Sequence, residues 1–201
     1  FYPDGRHMGL AGIVGSISFS MPKIITTGQG GALITNSDEI ADKLRKLKDF
    51  GRKQNGIDIH DTFGINSKFT DLQAVVGLEQ MKKLSLRIRR KKSIWLEYKE
   101  KLKNVPEIIF FKQDVENTTP CFVDVIVDKR QQLKKYLKDK NIGSRPMYPP
   151  IHSQKIYRKN GKYPVSEMIG RKGLWLPSAS QLKDSQIDLI CNAINEFYRK
   201  V

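Results

Sequence analysis

Apolar runs of strand length alternate with helix-period segments along this 201-residue chain, and that alternation restricts the fold to a mixed α/β class. Ile17–Phe19, Ile24–Thr27 and Ala32–Thr35 read as strands. The first is expected to be buried; the other two flank the tetrad Gly28-Gln29-Gly30-Gly31. A turn at Met21-Pro22-Lys23 separates the first strand from the second. Asn36 with Glu39 three residues on, then Ile40, Leu44 and Leu47, predicts a capped amphipathic helix ending at Gly51. Residues 52–69 have no period and read as an ordered loop. Thr70-Asp71-Leu72-Gln73 is a capping box that opens a helix running to Leu84. A further helix over 86–103 stops before Pro106. Strands at 108–111 and 122–127 follow, then a helix at 130–139 stopped by Gly143. Arg145-Pro146-Met147-Tyr148-Pro149-Pro150 cannot be helical and reads as a stiff loop, and a last helix covers 185–199. The expected division is into residues 1–84 and 85–201.

Composition narrows the function classes. With 39% apolar residues the chain has material for a packed core, and no stretch approaches the ~18 uninterrupted apolar residues of a membrane helix, so no membrane insertion is expected. The 36 basic residues against 21 acidic ones leave +15, which invites a nucleic-acid reading. The densest basic run, Arg87–Lys92, however, falls in a helix whose apolar stripe is Ile88, Trp95, Tyr98 and Leu102, where it reads as a solvated face. Other basic residues are spread over 43–53, 129–140 and 158–162, without one face and interleaved aromatics. The two cysteines, Cys121 and Cys191, lie far apart in apolar segments and suit buried thiols, with no zinc or other metal site. The absence of a signal peptide and this cysteine usage point to a cytoplasmic location.

Lys23, just past an apolar run and after Pro22, is either a snorkelling surface residue or a functional amine. Its neighbourhood decides. Ser18-Phe19-Ser20-Met21-Pro22-Lys23 followed by Thr26-Thr27-Gly28-Gln29-Gly30-Gly31 resembles the cofactor-lysine region of the DegT/DnrJ/EryC/StrS family of sugar aminotransferases. Gly64-Ile65-Asn66-Ser67-Lys68-Phe69-Thr70-Asp71-Leu72-Gln73-Ala74 is similar to that family's G-x-N-Y-R-M-T-D-L-Q-A segment. Gly143–His152 resembles its R-P-x-x-x-P-x-H loop, most familiar from perosamine-synthase-like members, and Leu176-Pro177-Ser178 its L-P-x segment.

The resemblance implies a fold-type-I α/β enzyme, of which this chain is the end of the large domain plus a small α+β carboxyl-terminal domain. It implies pyridoxal 5'-phosphate as cofactor, held covalently by Lys23, with Ser18 on its phosphate and Asn66 reaching the phosphate in a partner subunit, hence a homodimer. Ser18 and Asn66 have ordinary alternatives as a strand-end serine and an Asx-turn residue. Lys68 stands where the family has Arg, replacing a planar fork with a point charge, and is assigned with Tyr148 and His152 to substrate binding. A packed Tyr and a surface His are equally open readings for the last two. Burial beside an apolar strand is expected to favour loss of the lysine proton. The implied reaction moves an amino group from an amino acid, L-glutamate by family analogy, to a GDP- or UDP-linked 4-keto-6-deoxy sugar in polysaccharide synthesis. A related dehydratase has His at the lysine position, and position 23 is Lys. The family's E-D-A-A-x-x-x-G segment, whose Asp faces the pyridine nitrogen, would lie before Phe1. Two other readings therefore stay open: a catalytically incomplete or regulatory relative, and a basic nucleic-acid-binding module.

Overall fold

The computed structural model describes residues 4–157 and 161–200, so part of the basic group at 158–162 lies outside the described residues. The chain divides into two compact units, Phe1–Leu86 and Arg87–Val201.

The first unit holds strands β1 (Gly15–Ser18) and β2 (Gly31–Ile34) and helices α1 (Asp38–Lys48) and α2 (Asp71–Met81). The strands pair antiparallel, Gly15 opposite Ile34 and Ser18 opposite Gly31. Contrary to expectation β1 is not buried: Ser16 and Ser18 are exposed and Ile17 half-buried, because a two-stranded ribbon has no layer over it among the described residues. Ile24–Thr27 is not a strand either. Those residues belong to the loop 19–30 that joins β1 to β2. The Thr27 N–H and the Thr26 hydroxyl both donate to the Phe19 carbonyl, each at 3.0 Å, and close the loop on itself instead of extending the ladder.

Helix α1 is capped by Ser37, whose hydroxyl accepts from the Ile40 N–H, rather than by Asn36. Asp38 and Glu39 open it and Arg45, Lys46 and Lys48 close it, matching the helix dipole. The capping box of α2 forms as the sequence predicts. Between the helices the chain crosses itself. A Cβ on Gly51, which is at φ +77°, would lie 1.7 Å from the Thr62 carbonyl oxygen, and one on Gly64 would lie 1.9 Å from the Gly51 nitrogen.

The second unit contains most of α3 (Leu84–Lys101), then β3 (Ile108–Phe110), β4 (Val123–Val127), α4 (Arg130–Asp139), β5 (Arg145–Pro146), α5 (Pro164–Lys172), β6 (Gly173–Leu176) and α6 (Asp184–Lys200). Its sheet has the order β3-β4-β6-β5, antiparallel throughout. Val123, Val125 and Val127 alternate toward the core with Leu174 and Leu176, and Ile94, Tyr98, Leu133, Leu137, Ile187 and Ile194 complete it. Pro146 is tolerated because β5 is an edge strand. Helix α5 and β6 were not foreseen, since four residues squeezed between a helix and Pro177 give too short a run to show a period. Asn141 at φ 58°, rather than Gly143, supplies the left-handed residue after α4.

Arg87–Lys92 is not a plain solvated face. Arg90 donates to the Leu182 carbonyl at 2.5 Å and pairs with Asp184 at 2.7 Å, and Lys92 donates to the Glu116 carbonyl at 2.7 Å. The Lys91 amine donates to the carbonyls of Cys121 and Ser178 at 2.7 and 2.6 Å. Neither cysteine is in a disulfide; Cys191 is buried and Cys121 half-buried. No helix among the described residues is long and apolar enough to cross a membrane, and no His/Cys/Asp/Glu group among them could hold a metal.

Candidate functional site in the first unit

Lys23 sits in a turn closed by its own N–H, which donates to the Ser20 carbonyl at 3.1 Å. The side chain is exposed, so the burial expected around it is not supplied by the described residues, because the strand beside it is itself open. Among those residues its amine has neither a hydrogen bond nor an ion pair. Ser18 ends β1, with its hydroxyl 3.0 Å from that of Ser20. Two hydroxyls therefore stand together a few residues before the lysine.

The loop that carries Lys23 is held from two directions. Inside it, Thr26 Oγ1 accepts from the Gly28 N–H at 2.9 Å and Thr27 Oγ1 donates to the Gln29 carbonyl at 2.7 Å. From outside, the segment leading into α2 closes on it. Phe69 meets Phe19 at 6.4 Å between ring centroids and fills the space where a Gly30 side chain would be, 2.5 Å from that Cβ. Gln73 Nε2 donates to the Gln29 carbonyl at 2.8 Å, while Gln73 Oε1 accepts from the Thr70 N–H at 3.0 Å. One side chain thus caps α2 and grips the glycine turn. The capping-box pattern identified Gln73 as a helix start; its second contact spans 44 residues and leaves no local signal.

Asn66 and Lys68 occupy that same segment. Asn66 is exposed, but its backbone is pinned by a bridge to Asp49 and by its neighbours, Ile65 N–H to the Leu47 carbonyl at 2.8 Å and Ser67 N–H to the Lys48 carbonyl at 2.9 Å. Lys68 is already engaged: its amine is 2.7 Å from Asp49 Oδ1 and 5.3 Å from the Phe50 ring centroid. Arg52 reaches the same Asp49 oxygen at 2.5 Å and Asp58 at 2.8 Å. Lys68 and Arg52 together hold the Asp49 carboxyl below the usual carboxylate range. This triad was not visible from sequence, because Lys68 meets Asp49 and Arg52 from the far end of the loop that joins α1 to α2.

Tyr148 and His152 belong to the second unit. His152 packs on Tyr163 at 4.6 Å, with Nε2 3.4 Å from Glu167 Oε1, whereas Tyr148 is largely exposed and meets Trp175 edge-on. His60 has Nδ1 2.8 Å from the Phe50 carbonyl and serves the loop. Burial pushes the Lys91 amine down, which would suit a reactive amine, but its two carbonyl partners give it a structural post.

Comparison with known proteins gives the family and the fold. The sequence pattern described as the DegT/DnrJ/EryC1/StrS aminotransferase family matches residues 2–195. GDP-perosamine synthase of Escherichia coli O157:H7 is 33% identical over 198 residues, covering 96% of this chain and 54% of that protein. GDP-perosamine synthase of Vibrio cholerae is 30% identical over 203 residues, covering 97% and 55%. Among solved structures, a DegT DnrJ EryC1 StrS aminotransferase from Brucella abortus superposes with a TM-score of 0.87 at 30% identity, covering 96% of this chain and 53% of its own. The aminotransferase TlmJ from Streptoalloteichus hindustanus gives 0.89 at 28%, covering 96% and 54%. The chain spans about half the length of the curated relatives it matches.

Proposed function

The chain belongs to the DegT/DnrJ/EryC1/StrS aminotransferase family, and from that premise we propose that it takes part in pyridoxal phosphate-dependent transfer of an amino group to a nucleotide-linked keto sugar. The observation that carries the reading is the unpaired, exposed Lys23 amine on a loop fixed from two sides. The residues present fit the cofactor: a free primary amine for an aldehyde, and the paired hydroxyls of Ser18 and Ser20 for a phosphate. Lys23 would hold the aldehyde carbon, Ser18 the phosphate, and Asn66 the phosphate in a partner copy, which makes the active assembly a homodimer. When bound, the cofactor supplies an electron sink for the bond to the substrate α-carbon.

Lys23, once released by the amino donor, is placed to take the proton from that α-carbon and return it, so one amine anchors and shuttles. The turn around it fixes where the amine stands, and Gln73 and Phe69 fix the turn. L-glutamate is the proposed donor, a GDP- or UDP-linked 4-keto-6-deoxy sugar the proposed acceptor, and surface-polysaccharide synthesis in the cytoplasm the setting. The relatives named as GDP-perosamine synthases support the sugar class. Lys68, paired with Asp49, is the proposed charge for the substrate on the segment that carries Asn66. His152 is tied to Tyr163 and Glu167, which leaves Tyr148 the freer of the two loop residues for a sugar contact. Nucleic acid has no part in the reading, and the carbonyl and carboxylate contacts of Arg90, Lys91 and Lys92 support leaving it out.

The test is to add pyridoxal phosphate, record the visible spectrum before and after L-glutamate, reduce with borohydride and map the labelled peptide. A reduced adduct on Lys23, absent from Lys23→Ala, is expected. A label on other lysines only, or none, overturns the reading.

A further inference from the structure

Arg145, Trp175 and Asp124 are register partners across β5, β6 and β4. Their side chains therefore leave the sheet on one face, opposite the core-facing Val123, Val125 and Leu174. Phe122 stacks on Trp175 at 4.9 Å and 23°, and Tyr148 stands edge-on to it at 5.0 Å. The Arg145 guanidinium lies 5.4 Å from the Trp175 ring centroid and 5.2 Å from that of Tyr148. Trp175 is only 9% exposed, and its indole Nε1 is buried without a hydrogen-bond partner.

The charges at the two ends of this row are not neutralised. Among the described residues neither Arg145 nor Asp124 has an ion-pair partner. Asp124 is half-buried, and that burial pushes its carboxyl up; the indole of Trp175 acts in the other direction but stays outside hydrogen-bond geometry. An unpaired, partly desolvated carboxylate lowers stability, so its place beside an aromatic plate calls for a ligand. With strands ~4.8 Å apart, the cation and the anion are separated by two strand spacings, ~10 Å at the backbone, a span that long side chains narrow from either end.

We propose that this face is a seat for a guanine base. Guanine offers O6 and N7 acceptors on one edge, which match a guanidinium, and N1–H and N2–H donors on the adjoining edge, which match a carboxylate. Its ring can lie against Tyr148, which is 65% exposed. Uracil and thymine lack the pair of adjacent donors that Asp124 would accept. The inference rests on the reading that the acceptor is nucleotide-linked, and it selects the guanine nucleotide over the uracil one.

The experiment is titration of the full chain with GDP, UDP and dTDP, followed by calorimetry and by fluorescence in a Trp95→Phe background, where Trp175 is the one remaining indole of the two. GDP is expected to bind at least about tenfold more tightly than UDP or dTDP and to change the Trp175 emission. Asp124→Asn, which keeps the shape, is expected to abolish most of that preference while leaving UDP binding unchanged. Should Trp95→Phe not fold, calorimetry on the unaltered chain and on Asp124→Asn decides alone. Equal binding of the three nucleotides, no binding of any, or a preference untouched by Asp124→Asn overturns the proposal. The Lys23 adduct is scored separately. Base preference without an adduct would sink the transferase reading only, and an adduct without base preference would sink the guanine seat only.

Discussion

The two units are held together by different means. Every buried apolar side chain among the described residues lies in the second unit, from Ile94 to Phe197, where three helices cover one face of a four-stranded sheet. Among the described residues the first unit buries none; Leu33, Leu72, Leu78, Phe63 and Met81 are all exposed. It is organised instead by a capping box, a glycine crossing, the Asp49 triad and hydrogen bonds to loop carbonyls. Burial of apolar area is the dominant stabilising contribution in a domain, so the second unit has the means to stand alone and the first unit has specificity of shape without matching depth. The unit that carries Lys23 is the one with surface left over.

The sharpest way to break this contrast is a pair of matched truncations. Leu133→Ala, in the core and 0% exposed, is expected to lower stability by ~2–5 kcal/mol in urea unfolding, and Leu72→Ala, 82% exposed, by no more than ~0.5 kcal/mol. A large cost at Leu72 would mean that its surface is covered in solution. Next in size, Tyr98→Phe removes a buried hydroxyl that donates to the Pro177 carbonyl at 2.9 Å, and is expected to lower stability by ~1 kcal/mol by the same measurement.

In the first unit Gln73 separates two roles. Gln73→Ala loses both the cap and the grip on the glycine turn, for ~1 kcal/mol. Gln73→Glu keeps an acceptor for Thr70 but cannot donate to the Gln29 carbonyl, so amide exchange over residues 26–31 should quicken while α2 remains protected. Unchanged exchange would show that Phe69 alone holds the turn.

The smallest expected effect is in acid. Lys200, Tyr136 and Lys140 hold the Glu196 carboxyl down at about 2, below its ordinary ~4.3. The contribution is complete above the ordinary value and disappears as pH falls toward the folded one. Glu196→Gln should flatten the second unit's acid limb in that window, measured by near-ultraviolet dichroism. Asp49, lowered by Lys68 and Arg52, gives the first unit a slope of the same sign, which Asp49→Asn removes without altering the second unit's limb.

Local signals were readable where local physics decides the outcome. The Thr70–Gln73 box and the alternation of β4 follow from capping and period, which operate within a few residues. Ile24–Thr27 misled because β-branched residues favour a strand only where a neighbouring strand is available, and here two threonines fold the segment back onto the Phe19 carbonyl. Lys23 and its flanking Ser18 were visible as candidates through their resemblance to a family. Their surroundings were not: the Gln73 grip, the Asp49 triad and the Arg145-Trp175-Asp124 row each join residues distant in sequence.

The crossing of Gly51 and Gly64 sets how this region can evolve. Because backbone touches backbone there, no single replacement at either glycine leaves the neighbouring strand of chain in place, so both positions are closed to gradual substitution. The excursion from 52 to 63 begins and ends at that contact. Within it Arg52 and His60 carry contacts that hold the crossing, so changes in length are expected to be tolerated at its tip, residues 53–57, where they leave the path into Asn66 and the start of α2 unaltered.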